Sequence, residues 1–161
     1  MRNILFFTAL LFLTHQSACA QSQNATTADP LTKNSQFTGA TAEADDYKAI
    51  FQLDTDNPKI IEKTFRNINN TLKDPRLEGK VQIELITFSG GTQALLKANA
   101  DKYEEKIKDL IQKGVIVAQC ENSLTEQNRT KDEFYDFIGY VPSGNGELII
   151  RAKQGWTIVK P

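Results

Sequence analysis

Val81–Thr92 reads VQIELITFSGGT. A mostly apolar, β-branched run meets Ser-Gly-Gly and then a stretch of helical preference. This predicts a strand over Val81–Phe88, a tight turn, and a short helix over Thr92–Ala98. Strand, glycine turn and helix in that order make half of a βαβ unit, so the neighbouring segments decide whether the fold repeats it.

They do. Upstream, YKAIFQL (Tyr47–Leu53) predicts a first strand. Asn57 then suits an N-cap, and Pro58 suits the first helical position, where its missing N–H costs nothing. Ile61, Phe65, Ile68 and Leu72 follow at helical spacing and define one apolar face, which Pro75 and Gly79 terminate. Downstream, a longer helix is expected from Asp101, capped by that residue with Glu104 reaching back. Tyr103, Ile107, Leu110 and Ile111 supply its inner face, and Gly114 suits the C′ position. VIVAQ (Val115–Gln119) is a continuous apolar run, the pattern of a strand covered on both sides.

A polar loop, a helix over Lys131–Phe137 and a fourth strand over Ile138–Val141 come next. Leu148, Ile149 and Ala152 favour a helix in PSGNGELIIRAKQG, and WTIVK (Trp156–Lys160) closes the series. Five strands separated by helices predict an α/β fold: a three-layer, doubly wound, mostly parallel sheet with right-handed crossovers.

The domain so read occupies residues 46–161. Ahead of it, residues 21–45 are rich in Ser, Thr, Asn, Gln and Ala, with Leu31 and Phe37 as the sizeable apolar groups. Too little apolar surface is present there to offset the entropy of ordering, which predicts a flexible linker. Residues 1–20 carry Arg2, an apolar run over Ile4–Leu13 and Ala18-Cys19-Ala20, the pattern of a secretory signal cleaved before Gln21. Lipid modification at Cys19 is the alternative. Either way the expected location is outside the cytoplasm, periplasmic or extracellular, and no transmembrane segment is expected in the mature chain.

Loss of such a signal bounds the chemistry. The single His, His15, and one of the two Cys, Cys19, lie within it. What remains is Cys120 and no His, which excludes a His-based catalytic triad, a His/Cys zinc site and an internal disulfide. No metal or cofactor is expected. Net charge near zero, without a basic stripe, gives no sign of nucleic-acid binding.

Ligands of doubly wound sheets collect beyond the carboxyl ends of the strands. Three segments converge there on the predicted topology: Ser89-Gly90-Gly91, then Cys120 with Glu121 and Asn122, then Pro142-Ser143-Gly144. Cys120 is the candidate nucleophile, a thiolate that bears a terminal sulfur as a persulfide. Ser89, Gly90, Gly91, Asn122, Ser143 and Gly144 are candidate anion or ligand contacts through amides and hydroxyls. Arg129 or Lys131 would add positive charge if the loop after Cys120 folds back. The opposing reading is a small buried cysteine at a strand end, with tight turns beside it.

The order TFSGGTQALL, GVIVAQCENSL, IGYVPSGNGEL and a terminal QGWTIVKP resembles the DsrE/DsrF-like family of sulfur-relay proteins over residues 47–161. It looks most like the branch found behind secretion signals. The resemblance implies a five-stranded α/β fold, homo-oligomers (trimers or hexamers), and a cysteine at the end of the third strand that accepts and passes on sulfane sulfur. Cys120 holds the matching position. It also implies a sulfurtransferase-like or carrier activity and a sulfur donor or acceptor protein as partner. A non-catalytic binding module or a thiol redox sensor on the same fold is the alternative.

Overall fold

A computed structural model describes residues 29–161. Contacts divide the chain into two units, Met1–Gly39 and Ala40–Pro161. The expected signal and Cys19 lie outside the described residues. Within the first unit a six-residue helix, α1 (Pro30–Ser35), forms in the tract read as linker. Asp29 caps it, accepting from the Thr32 amide at 3.2 Å, and Pro30 takes the first position. Leu31 and Phe37 are exposed.

The second unit runs β1 (Tyr47–Leu53), α2 (Pro58–Leu72), β2 (Val81–Thr87), 3₁₀ turns at Ser89–Leu95 and Lys97–Asn99, α3 (Ala100–Gln112), β3 (Ile116–Cys120), α4 (Glu121–Glu126), a 3₁₀ turn at Lys131–Glu133, β4 (Gly139–Val141), α5 (Gly144–Lys153) and β5 (Thr157–Val159). All five strands are parallel, in the order β4-β3-β2-β1-β5. The chain therefore winds outward from β1 to one edge, then crosses back beyond β1 to place β5.

Side-chain alternation splits the strands between two layers. Phe51, Leu53, Ile83, Leu85 and Val117 meet Ile61, Phe65 and Ile68 of α2 and Tyr103, Ile107 and Leu110 of α3 in the larger apolar cluster. Ile50, Ile86 and Ala118 face the other way, against Leu148 of α5 and Trp156. The expected caps of α2 form: Asn57 accepts from the Lys59 amide at 3.0 Å. At the end of α3, Gly114 adopts φ +88°, and the Gly114 and Val115 amides return to the Ile111 and Leu110 carbonyls in a Schellman motif.

Several details depart from the sequence reading. The expected Asp101 cap is absent. A 3₁₀ turn runs straight into α3, and the Ala100 amide already bonds to Lys97. Residues 89–95, expected to hold a turn and then a short helix, wind as 3₁₀ from Ser89. The segment over Lys131–Phe137 makes only a 3₁₀ turn, because Phe134 and Tyr135 are both buried and a bridge from Phe134 to Leu96 extends the chain. The polar loop after Cys120 is instead a helix, α4. Ile116, at the start of the apolar third strand, is 48% exposed.

Candidate functional site

The carboxyl ends of β2, β3 and β4 meet at a cavity of about 270 Å³ that opens to solvent. Phe88, Ser89, Cys120, Asn122, Ser123, Glu126, Ser143, Gly144 and Asn145 line it. Five of the seven sequence-predicted site residues are brought together here. Gly90 and Gly91 are not among them.

Cys120 ends β3 and occupies the N-cap position of α4, but its side chain makes no capping bond. The residue is 4% exposed, yet it belongs to neither apolar cluster and borders the polar cavity. Its carbonyl is held by the fully buried Gln119, whose Nε2 donates to it at 2.9 Å and to Thr92 Oγ1 at 3.2 Å. Gln119 Oε1 in turn accepts from Thr87 Oγ1 at 2.6 Å. The buried amide is satisfied at both ends, which fixes the strand end rather than leaving it to fray.

Ser89 is held in a left-handed conformation, φ +49°, rare for a residue other than glycine. Two side chains from the α4 segment keep it there. Its amide donates to Ser123 Oγ at 2.9 Å, and its carbonyl accepts from Gln127 Nε2 at 2.8 Å. Strain of this kind, pinned by neighbours, gathers at functional sites.

Gly90 and Gly91 meet a packing constraint. A Cβ on Gly91 would lie 2.0 Å from the Leu53 carbonyl oxygen, and one on Gly90 would lie 2.7 Å from the Asp56 nitrogen. Both are glycine because the turn packs onto the end of β1 and the loop that follows it. The Gly91 amide is moreover used by the Phe88 carbonyl, and the Asn122 amide by Pro142. Unengaged donors that line the cavity belong to α5. Ser143 caps α5, its Oγ accepting from Gly146 and its carbonyl from Glu147. The Gly144 and Asn145 amides in the first turn have no hydrogen-bond partner among the described residues, and both residues line the cavity.

Both expected cations are engaged by carboxylates. Arg129 pairs with Glu133 at 2.7 Å, while Lys131 pairs with Glu121 and stands 4.5 Å over the Tyr140 ring. Lys131 thereby neutralises the carboxylate next to the thiol. Glu126 at the rim, Phe88, Ser123 and Asn145 were not singled out from the sequence. Recognition of α4 would have found Ser123 and Glu126, but a six-residue polar helix with Leu124 as its one sizeable apolar group carries almost no periodic signal. Among the described residues no His, Cys, Asp and Glu side chains gather as a metal site, and no helix is long and apolar enough to cross a membrane.

A family model, the DsrE/DsrF-like family, matches residues 48–161. The chain belongs to the DsrE/DsrF-like family. A solved structure of a protein of unknown function from Methanobacterium thermoautotrophicum is 28% identical. It covers 72% of this chain and 100% of its own, with a TM-score of 0.67. A conserved protein of unknown function from Bacteroides thetaiotaomicron is 17% identical, covers 76% and 100%, and shares the fold at a TM-score of 0.56. No curated protein matches. DsrE/DsrF-like membership points to a sulfur-relay-related role.

Proposed function

We propose that this DsrE/DsrF-like protein is an exported sulfur carrier, sulfurtransferase-like in its chemistry, with Cys120 as the carrier atom. The observation that carries the reading is the convergence of a lone thiol, a pinned and strained Ser89 and two unengaged α5 amides on one small cavity. The Cys120 thiolate attacks the terminal sulfur of a persulfide donor. A new S–S bond forms on Cys120, the donor's S–S bond breaks, and the donor leaves as a thiolate that takes up the cysteine proton. No external oxidant is needed, and the reverse attack by an acceptor thiolate unloads the sulfur. The Gly144 and Asn145 amides, with the Asn122 and Asn145 carboxamides, stabilise the anionic persulfide.

Treatment of the exported protein with a polysulfide, followed by alkylation and peptide mass analysis, tests this. The expected result is a gain of one sulfur atom on the Cys120 peptide and none in Cys120→Ser. An unmodified thiol that also resists alkylation until the fold is lost would contradict it.

A self-associating form completes the proposal. Ile116, Ile149, Ile150 and Ile158 are exposed around α5, and a trimer or hexamer would cover them. Light scattering at several concentrations reads the assembly, and intact mass of the exported chain distinguishes cleavage before Gln21 from lipidation at Cys19. A second reading, a non-catalytic binding module, is favoured by the 4% exposure of Cys120. It predicts that Cys120→Ser leaves every phenotype intact.

A further inference from the structure

Glu84, in the middle of the central strand β2, is the one charged residue among the buried polar groups of the described chain, at 1% exposure. It faces α5. Its Oε2 lies 2.7 Å from Arg151 Nη2, and Arg151 Nε lies 2.8 Å from Glu147 Oε1, one helical turn back. The guanidinium also stands 4.4 Å over the Trp156 ring. Glu84 Oε2 and Arg151 Nε nonetheless lack a well-aligned hydrogen bond. The attraction is set by charge and distance rather than by direction.

This cluster bears weight because the apolar attachment of α5 is slight. Leu148 is its only large buried apolar side chain, while Ile149 and Ile150 point outward at 70% and 53% exposure. At its other end α5 lies against Phe88: a Cβ on Gly144 would come within 2.8 Å of that ring. Phe88, Ser143, Gly144 and Asn145 are the walls of the Cys120 cavity on this side. Gly144 and Arg151 are about 10 Å apart along the helix axis, at 1.5 Å per residue. Leu148, buried, lies between them. A shift at the Arg151 end would be carried along the helix to residues that line the cavity.

We propose that Arg151 is a positioning residue, which by pairing with Glu84 seats α5 on the sheet and so sets the aperture over Cys120. The proposal rests on Cys120 being the reactive atom, and it adds control over which sulfur donors gain entry: small ones pass and bulky ones are held out.

The test compares the rate of Cys120 modification by iodoacetamide with that by a fluorescein maleimide in the full chain. Wild type should discriminate strongly against the bulky reagent. Arg151→Met should narrow the ratio by roughly tenfold or more, because losing one partner of a buried pair loosens the element it held. Arg151→Lys should return the ratio toward wild type. If Arg151→Met does not fold, Glu84→Gln/Arg151→Met leaves no charge on the buried strand residue, with only the partly exposed Glu147 unpaired, and serves instead. An unchanged ratio in a folded variant overturns the positioning role. Failure of the carrier reading looks different: the ratio still narrows, but no persulfide forms on wild-type Cys120.

Discussion

The two faces of the sheet are built to different standards. On the α2/α3 face two long amphipathic helices lay Ile61, Phe65, Ile68, Tyr103, Ile107 and Leu110 over alternating strand residues, and the core there is continuous. On the α5 face one ten-residue helix covers Ile50, Ile86 and Ala118 with Leu148, aided by Trp156 and the ion pair from Arg151 to the buried Glu84. The first face supplies stability. The second borders the cavity at Cys120, and elements with few buried apolar contacts open at lower free energy.

Substitutions separate the two. Gly91→Ala should have the largest effect, because its Cβ would meet the Leu53 carbonyl at 2.0 Å and backbone must shift; loss of cooperative urea unfolding is the expected readout. Ile107→Ala, from a fully buried site on the thick face, should cost about 2–5 kcal/mol in urea denaturation. Alkylation of Cys120 should rise in that variant only in step with global unfolding. Leu148→Ala should cost about 2 kcal/mol or less, because its site borders solvent and can collapse. Yet it should speed Cys120 alkylation well below the unfolding transition. Equal behaviour of the two variants would remove the distinction between the faces.

Titration sharpens the same contrast. Burial pushes the Glu84 carboxyl up, opposed by Arg151 and reinforced by Glu147. A raised acid favours the folded state most when protonated, so its contribution is full below the unfolded value and is lost as pH rises through the folded one. Glu84→Gln should therefore gain on wild type as pH rises above the ordinary glutamate value of about 4, followed by denaturation midpoints. On the thick face burial pushes Tyr135 up to about 12, and its hydroxyl has no partner among the described residues. Its contribution is present below about pH 10 and lost as pH rises through about 12. Tyr135→Phe should be neutral or stabilising by up to about 1 kcal/mol and should blunt that alkaline loss.

How much of this was readable in the residues follows from the range of the interactions. The strands, α2, α3 and the Gly114 stop are written in local periodicity and capping, and their prediction needed no partner. Ser89, Cys120, Asn122, Ser143 and Gly144 were legible as a group because topology alone brings strand ends together. The roles of Gly90 and Gly91 were not, since what excludes a Cβ is the end of β1, more than thirty residues earlier. Helix α4 lacked an apolar face to announce it. Glu84 read as one polar residue in a strand, and nothing local tied it to Arg151. The Asp101 cap failed for a related reason, because a preceding turn met the helix first.

Cyanolysis offers the most direct check on the proposed chemistry. Protein loaded with a polysulfide, freed of excess reagent and treated with cyanide should release one thiocyanate per chain, with Cys120 returned to a thiol. Thiocyanate at background from wild type, or the same yield from Cys120→Ser, would contradict a sulfur carried on Cys120.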